Sequence, residues 1–373
     1  MRKSTIVVIL ALILAGWLLT CLSCILIGPR LYNNWWQSFE ITDHDFPLQQ
    51  QWCYEADRNI RSTPIEYDGR VVIRTDQELY VLDATTGNLL WSISLPQTWH
   101  AAPPIVRGGI LVVTHTKGTS AFDLTTGQRL WLATDNSSRT VTFPSAANDQ
   151  LVVIVGAFIA GRDIRTGELL WRINRLYPRT GAIAAMDESY LYIVFPDQIR
   201  TYDVKTGELI HTNLTEDWSL QSWLFQDDIW YLERAEGGIS AFSMKEQKML
   251  WRRDDFELAD YLITKHRDML LIGLWSGQPV ALNAKTGETI WYANGVVTDT
   301  YETPVVMGET VYVRSLSKKI LYALNLETGD VIGYLEIGRP VLASSNADYS
   351  LGPIQAGASI VFAADHRLCA YGP

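Results

Sequence analysis

Histidine, cysteine, serine and the acidic residues are the side chains of this chain that could do chemistry, and their spacing is the first thing to weigh. The six histidines are His44, His100, His115, His211, His266 and His366. No two stand four apart, the spacing that sets two imidazoles on one helix face around a metal. Asp43-His44-Asp45 has suitable donors, but three adjacent residues rarely converge on one ion. A Gly-rich phosphate loop and the Gly-x-Ser-x-Gly nucleophile signature are both absent. A serine–histidine–acid set would have to be assembled from distant segments. The local sequence therefore offers no catalytic residue, no metal ligand and no cofactor-binding residue.

The elements that would position any such set come from a repeat. The phrase Ala-x-Asp-x-x-Thr-Gly-x-x-x-Trp returns from residue 81 to the end of the chain. Its glycines are Gly87, Gly127, Gly167, Gly207, Gly287 and Gly329, and its tryptophans are Trp91, Trp131, Trp171, Trp251 and Trp291. Most steps are 40 residues or twice that, so copies of one supersecondary unit must stack. In the copy from Thr119 to Trp131, a short β run ends at Asp123, Gly127 supplies a positive φ for the turn, and a second run carries Trp131. Upstream, two apolar runs flank Gly108-Gly109 as another hairpin. Two hairpins make four strands, the blade of a β-propeller, and the paired runs recur eight times.

The last copy stops at Pro373 without a fourth strand, while residues 50–54, including Trp52, sit about one period before Trp91. The expectation is an all-β, eight-bladed propeller of four-stranded antiparallel blades, its last blade closed by the N-terminal strand. Closure removes the open sheet edge that would invite aggregation. Each tryptophan is expected to stack between neighbouring blades, against the Thr-Gly turn and the small alanine position of its own repeat, burying ~150–250 Å². Three copies depart from the pattern: His211 and Gly333 replace tryptophans, and Gln247 replaces a glycine. Either drift in a redundant ring or a partner bound there would account for them.

Of the four cysteines, Cys21 and Cys24 lie in an apolar N-terminal run. Cys53 follows Trp52 and Cys369 precedes Ala370. If Trp52 faces Ala370 as Trp91 faces Val81, the two thiols meet across the closing blade, either as a disulfide or as free buried thiols. A one-residue slip would place them on opposite faces.

Residues 5–28 read as a transmembrane anchor, long enough at 1.5 Å per residue to cross a ~30 Å hydrocarbon core. Arg2 and Lys3 hold residues 1–4 in the cytoplasm. A polar linker over 29–47 then leads to the propeller at 48–373, with Trp35-Trp36 placed to sit among headgroups. Lipidation of Cys24 and cleavage of the leader are the alternatives. All three put the propeller outside the cytoplasmic membrane. The formal net charge of −10 and the lack of a basic stripe argue against a nucleic-acid binder.

Segments entering each inner strand carry Trp99, His100, Arg139, Arg179, Trp218, Asp260, Tyr261, Tyr301 and Glu302. This mixture has the composition of interface hot spots. The same residues could instead plug the channel or cap strand ends.

Asp83-Ala-Thr-Thr-Gly-Asn-Leu-Leu-Trp91 and Asp163-Ile-Arg-Thr-Gly-Glu-Leu-Leu-Trp171 resemble the tryptophan-docking motif of pyrroloquinoline-quinone-type propellers. The resemblance covers about residues 48–373. That family includes quinone-dependent dehydrogenases and non-enzymatic scaffolds of the BamB type. For the dehydrogenase branch it implies a quinone, a calcium ion, a catalytic aspartate and often a vicinal disulfide. This chain has no adjacent cysteine pair and minimal blades, so it is more similar to the scaffold branch. The expectation is a membrane-anchored, extracytoplasmic scaffold without a cofactor, bound to another cell-envelope protein or membrane complex. A quinone-dependent dehydrogenase and a small-molecule sensor binding in the channel are the rivals.

Overall fold

The Asp-x-x-Thr-Gly phrase closes a turn through its own side chains. Asp123 Oδ1 accepts the N–H groups of Thr125 and Thr126 at 3.0 and 2.7 Å, and the Thr126 hydroxyl at 2.9 Å. The Gly127 N–H returns to the Asp123 carbonyl at 2.8 Å, with Gly127 at φ +72°. Asp83, Asp163, Asp203, Asn283 and Asn325 accept the corresponding N–H bonds in their own copies. Holding those donors favours the charged form, so the carboxyls of Asp83, Asp123 and Asp203 titrate below the usual range. One residue after the small position facing each tryptophan, the strand pairing shifts by a bulge, as between Ala121 and Phe122.

These turns build eight four-stranded antiparallel sheets. A computed structural model describes residues 46–96, 103–134, 145–147, 149–155, 158–174, 183–195, 197–214, 218–234, 237–298, 303–315, 318, 320–336, 352–364 and 366–373. Blades 1 to 7 span 65–94, 105–133, 145–174, 183–214, 218–253, 258–292 and 305–336. Blade 8 combines 354–372 with the N-terminal strand Gln49–Glu55, which pairs antiparallel with Arg367–Gly372 as the outermost strand. The chain is thus an eight-bladed all-β propeller whose ring is closed by its own beginning. In this pairing Trp52 faces Ala370 and Cys53 faces Cys369, and the two cysteines are bonded at an S–S distance of 2.05 Å.

The strands alternate between blade faces, and the middle strands are buried on both, as in Arg70–Arg74 and Glu78–Asp83. Side chains of adjacent blades fill each seam. Val72 and Val81 of blade 1, for example, pack with Leu111, Val113 and Phe122 of blade 2. Among the described residues no helix is long and apolar enough to cross a membrane. The anchor expected at 5–28 and most of the linker lie outside the described residues.

The tryptophans dock on a different glycine from the one expected. Each does face the small position of its own repeat: Trp131 pairs with Ala121, Trp251 with Ala241 and Trp291 with Ala281. The glycine it covers, however, belongs to the next blade. A Cβ on Gly167 would meet the Trp131 ring at 2.6 Å, and one on Gly127 would meet Trp91 at 2.8 Å. Gly87, Gly207, Gly287 and Gly329 lie against Trp52, Trp171, Trp251 and Trp291 in the same way. Each indole N–H also donates across the seam. Trp131 reaches the Ile164 carbonyl at 2.9 Å, and the others reach Ala84, Leu124, Val204, Ala284 and Leu326 at 2.9–3.1 Å. Only glycine leaves room for this contact at that φ.

Cross-blade docking accounts for the three irregular copies. His211 of blade 4 would dock on the blade 5 turn, where Gln247 takes the glycine's place at φ +53°. Gly333 of blade 7 would dock on blade 8, whose outer strand comes from the other end of the chain and has no such turn. A tryptophan is missing where its partner glycine is missing.

Candidate functional site

One serine and one histidine do meet. Ser120 Oγ lies 2.8 Å from His115 Nε2, both residues at most 3 % exposed. The Lys117 backbone N–H donates to His115 Nδ1 at 3.2 Å, so the ring proton sits on Nε2 and points at the serine. An imidazole in that tautomer cannot take the serine's proton, and the pair is a structural hydrogen bond. Burial first, then the nearby Arg74, Lys117 and Arg129, depress the His115 pKa to about 4. The unfolded chain therefore takes up this proton before the folded one does. The resulting stabilisation is complete above about pH 6.5 and is lost as pH falls toward 4, up to about 3 kcal/mol. Urea titrations across that window should show the loss, and His115→Gln should remove that part of the pH dependence. An unchanged slope in the variant would contradict the assignment.

Among the described residues, no three His, Cys, Asp or Glu side chains converge as metal ligands. Their two cysteines are bonded across the ring closure rather than adjacent in sequence.

The feature that breaks the ring's regularity lies in blades 5 and 6. Their inner strands, Trp218–Gln226 and Leu258–His266, run nine residues, against three or four in the other blades. In blade 5, Trp218 pairs with Arg234 and pairing resumes at Trp223 with Leu232. In blade 6, Leu258 pairs with Leu274 and pairing resumes at Ile263 with Ile272. In each strand four residues, 219–222 and 259–262, thus stand opposite one, Glu233 and Gly273 respectively. These two bulged strands are neighbours around the ring. Bulges of this kind re-aim side chains and recur beside functional sites.

The same sector presents Trp275, 62 % exposed, on the turn between the second and third strands of blade 6. The turn is held rigidly. The Trp275 N–H donates to the Glu257 carbonyl at 2.8 Å, and the Gly277 N–H donates to Leu274 at 2.7 Å. Thr298 donates to the Gly277 carbonyl through both its N–H, at 2.7 Å, and its hydroxyl, at 3.0 Å. Gln278 Nε2 donates to the Ala293 carbonyl at 3.1 Å. A Cβ on Gly277 would meet the Thr298 carbonyl oxygen at 2.5 Å, which fixes glycine there.

Beside this turn runs the link between blades 5 and 6. Buried Phe256 pins it, with the Arg253 guanidinium 4.5 Å over its ring. Arg253 bonds Asp255 at 2.6 and 2.7 Å and reaches the Gly287 carbonyl of blade 6 at 2.6 Å. That guanidinium holds the Asp255 carboxyl below the usual range. Arg252 and Arg234 both bond Asp254, at 2.7 and 3.3 Å.

Of the residues expected on the partner surface, Trp218 opens the blade 5 inner strand, and Asp260 and Tyr261 fall in the blade 6 bulge. Only their backbone is described. Trp99, His100, Arg139, Arg179, Tyr301 and Glu302 lie outside the described residues. The three placed residues belong to adjacent blades, on or beside the paired bulges. The exposed Trp275 was not singled out from the sequence, although it is off the beat of the structural tryptophans and follows no Thr-Gly phrase.

A family model described as outer membrane protein assembly factor BamB matches residues 49–174 and 155–371. Among solved structures, BamB from Moraxella catarrhalis superposes with a TM-score of 0.69 at 17 % identity, covering 87 % of this chain and all of that one. The computationally designed protein Ika8 gives 0.71 at 15 % identity, with the same coverages. The quinohemoprotein alcohol dehydrogenase ADHIIG from Pseudomonas putida HK5 gives 0.65 at 14 % identity, covering 87 % of this chain and 76 % of that one. At such identities these likenesses show the fold alone. No curated protein sequence matches at a significant level.

Proposed function

Because the chain belongs to the family described as outer membrane protein assembly factor BamB, we propose that it is a non-enzymatic scaffold of the cell envelope. It docks another envelope protein or complex through blades 5 and 6. The observation that carries this reading is Trp275, exposed on a braced turn beside the paired inner-strand bulges. A large aromatic held rigid loses little freedom on binding and contributes strongly once covered. The docking surface extends to Trp218, Asp260 and Tyr261 on these blades, and to Trp99, His100, Arg139, Arg179, Tyr301 and Glu302 on the connections of other blades.

The Cys53–Cys369 bond supports an oxidising, extracytoplasmic compartment. The apolar run at 5–28 would hold the propeller to the membrane, with lipidation of Cys24 as the alternative anchor. The intact mass of the purified protein separates the uncleaved, lipidated and cleaved forms.

The test is affinity purification of the full-length protein in mild detergent, compared with Trp275→Ala. A stoichiometric envelope partner is expected with the native chain. The variant should bind it about 30-fold more weakly, as for a hot spot of about 2 kcal/mol, with its melting temperature unchanged. Equal binding by the variant would remove Trp275 from the docking surface. Dye reduction on adding quinone and calcium would overturn the non-enzymatic reading.

A further inference from the structure

Six of the eight seams between blades carry the same lock: an indole seated on the next blade's glycine, with its N–H on that blade's backbone. Among the described residues, the seams between blades 4 and 5 and between blades 7 and 8 have no such lock. We infer that the ring is mechanically two arcs, one of five blades (8, 1, 2, 3, 4) and one of three (5, 6, 7), and that it opens at these two seams.

What fills the two seams differs from the lock in kind. Between blades 4 and 5 the seam is filled by apolar packing that extends to Met249 on the blade 5 outer strand. Tyr192 and Val194 of blade 4 meet Trp230, Leu232 and Phe242 of blade 5. The rings of Tyr192 and Phe225, and of Phe225 and Trp230, lie 4.9 Å apart. At the rim, His211, at the position that buried Trp171 fills in blade 3, is exposed, and so is Gln247. This seam is packed, but no indole spans its rim.

Between blades 7 and 8 the wedge comes from the segment before the first strand. Leu48 is buried and Phe46 packs beside it, among Tyr312, Leu321, Ile360 and Phe362. The Phe46 ring meets Tyr312 edge-on at 6.0 Å. Arg314 crosses the seam to the Ala363 carbonyl at 2.7 Å. Phe46 and Leu48 lie at the start of the described chain, so this seam is held by the stretch that leads into the ring.

The division has a functional sense. Trp275 and both bulged strands lie on the three-blade arc, and the N-terminal strand with its disulfide lies on the five-blade arc. Opening the two seams tilts the arc that carries the docking surface against the arc that carries the chain's entry.

Native-state hydrogen exchange on the full chain tests this, since backbone amides report local opening. Amides of Leu209–Leu214, the turn at 243–247 and Val331–Glu336 are expected to exchange at least tenfold faster than those of the outer strands in locked seams. The double substitution His211→Trp with Gln247→Gly should install the missing lock. It should slow exchange at the seam between blades 4 and 5 at least tenfold and leave the other unlocked seam unchanged. Phe46→Ala with Leu48→Ala should speed exchange between blades 7 and 8 alone. Equal exchange in all eight outer strands of the native chain overturns the inference, whether or not any variant folds. So does a folded double variant that leaves its own seam unchanged.

Discussion

Replacing Trp131 by alanine is expected to destabilise the propeller by about 3–5 kcal/mol, the range for truncating a buried large aromatic. Three losses add. The indole, 9 % exposed, leaves a cavity between blades 2 and 3. Its hydrogen bond to Ile164 disappears, leaving that carbonyl without the donor. Gly167 keeps its left-handed conformation, now with nothing packed over it. Denaturant unfolding of the full chain measures the sum, provided spectroscopic probes on different blades give coincident transitions. A loss under about 1 kcal/mol would mean that the lock contributes little. His211→Ala is the matched control, since that side chain is exposed and touches no glycine turn; it should fall within ~0.5 kcal/mol of the native chain.

Removing residues 48–55 should do more, because it opens the ring. The deletion takes away the outer strand of blade 8, the Trp52 lock on Gly87 and the disulfide together. It also bares the edge of Arg367–Gly372, whose backbone groups then seek another strand. Aggregation or strand-swapped oligomers are expected in size-exclusion chromatography with light scattering. A monomeric product of native stability would refute closure by the N-terminal strand. The double substitution Cys53→Ser with Cys369→Ser isolates the covalent part. It should cost about 2–5 kcal/mol, the usual range for a native disulfide, and leave the ring monomeric, because the strand pairing and the Trp52 lock remain.

The ring was legible in the sequence because every blade repeats one phrase whose residues have separate physical duties. Aspartate and threonine close the turn, glycine admits the indole, and tryptophan fills the seam. The partner of each tryptophan was harder to read. A period of 40 residues is the same within a blade and between blades, so spacing cannot say whether Trp131 meets Gly127 or Gly167. The exceptions contain the answer. His211 has an intact Gly207 in its own repeat, and Gln247 has an intact Trp251 in its own. Only pairing across blades makes the two losses one event.

The proposed docking sector was less legible for a different reason. Bulges at 219–222 and 259–262 arise where an inner strand outgrows its partner, and strand length is set by neighbours rather than by local pattern. Trp218, Asp260 and Tyr261 were picked out by composition, but the juxtaposition of blades 5 and 6 was not. Trp275 was hidden by abundance: in a chain with 14 tryptophans, an off-beat one draws little notice until its exposure is known.

The bond between Cys53 and Cys369 spans 316 positions of sequence. Nearly the whole propeller is therefore one covalent macrocycle, with residues 1–52 and 370–373 of the chain outside it. A protease that nicks any single connection between the two cysteines releases no fragment, because each new end remains joined through the sulfurs to the other. Two cuts are needed before any piece can leave, and until then the blades stay together at fixed effective concentration. For a protein proposed to work outside the cytoplasmic membrane, the macrocycle makes a first cleavage survivable.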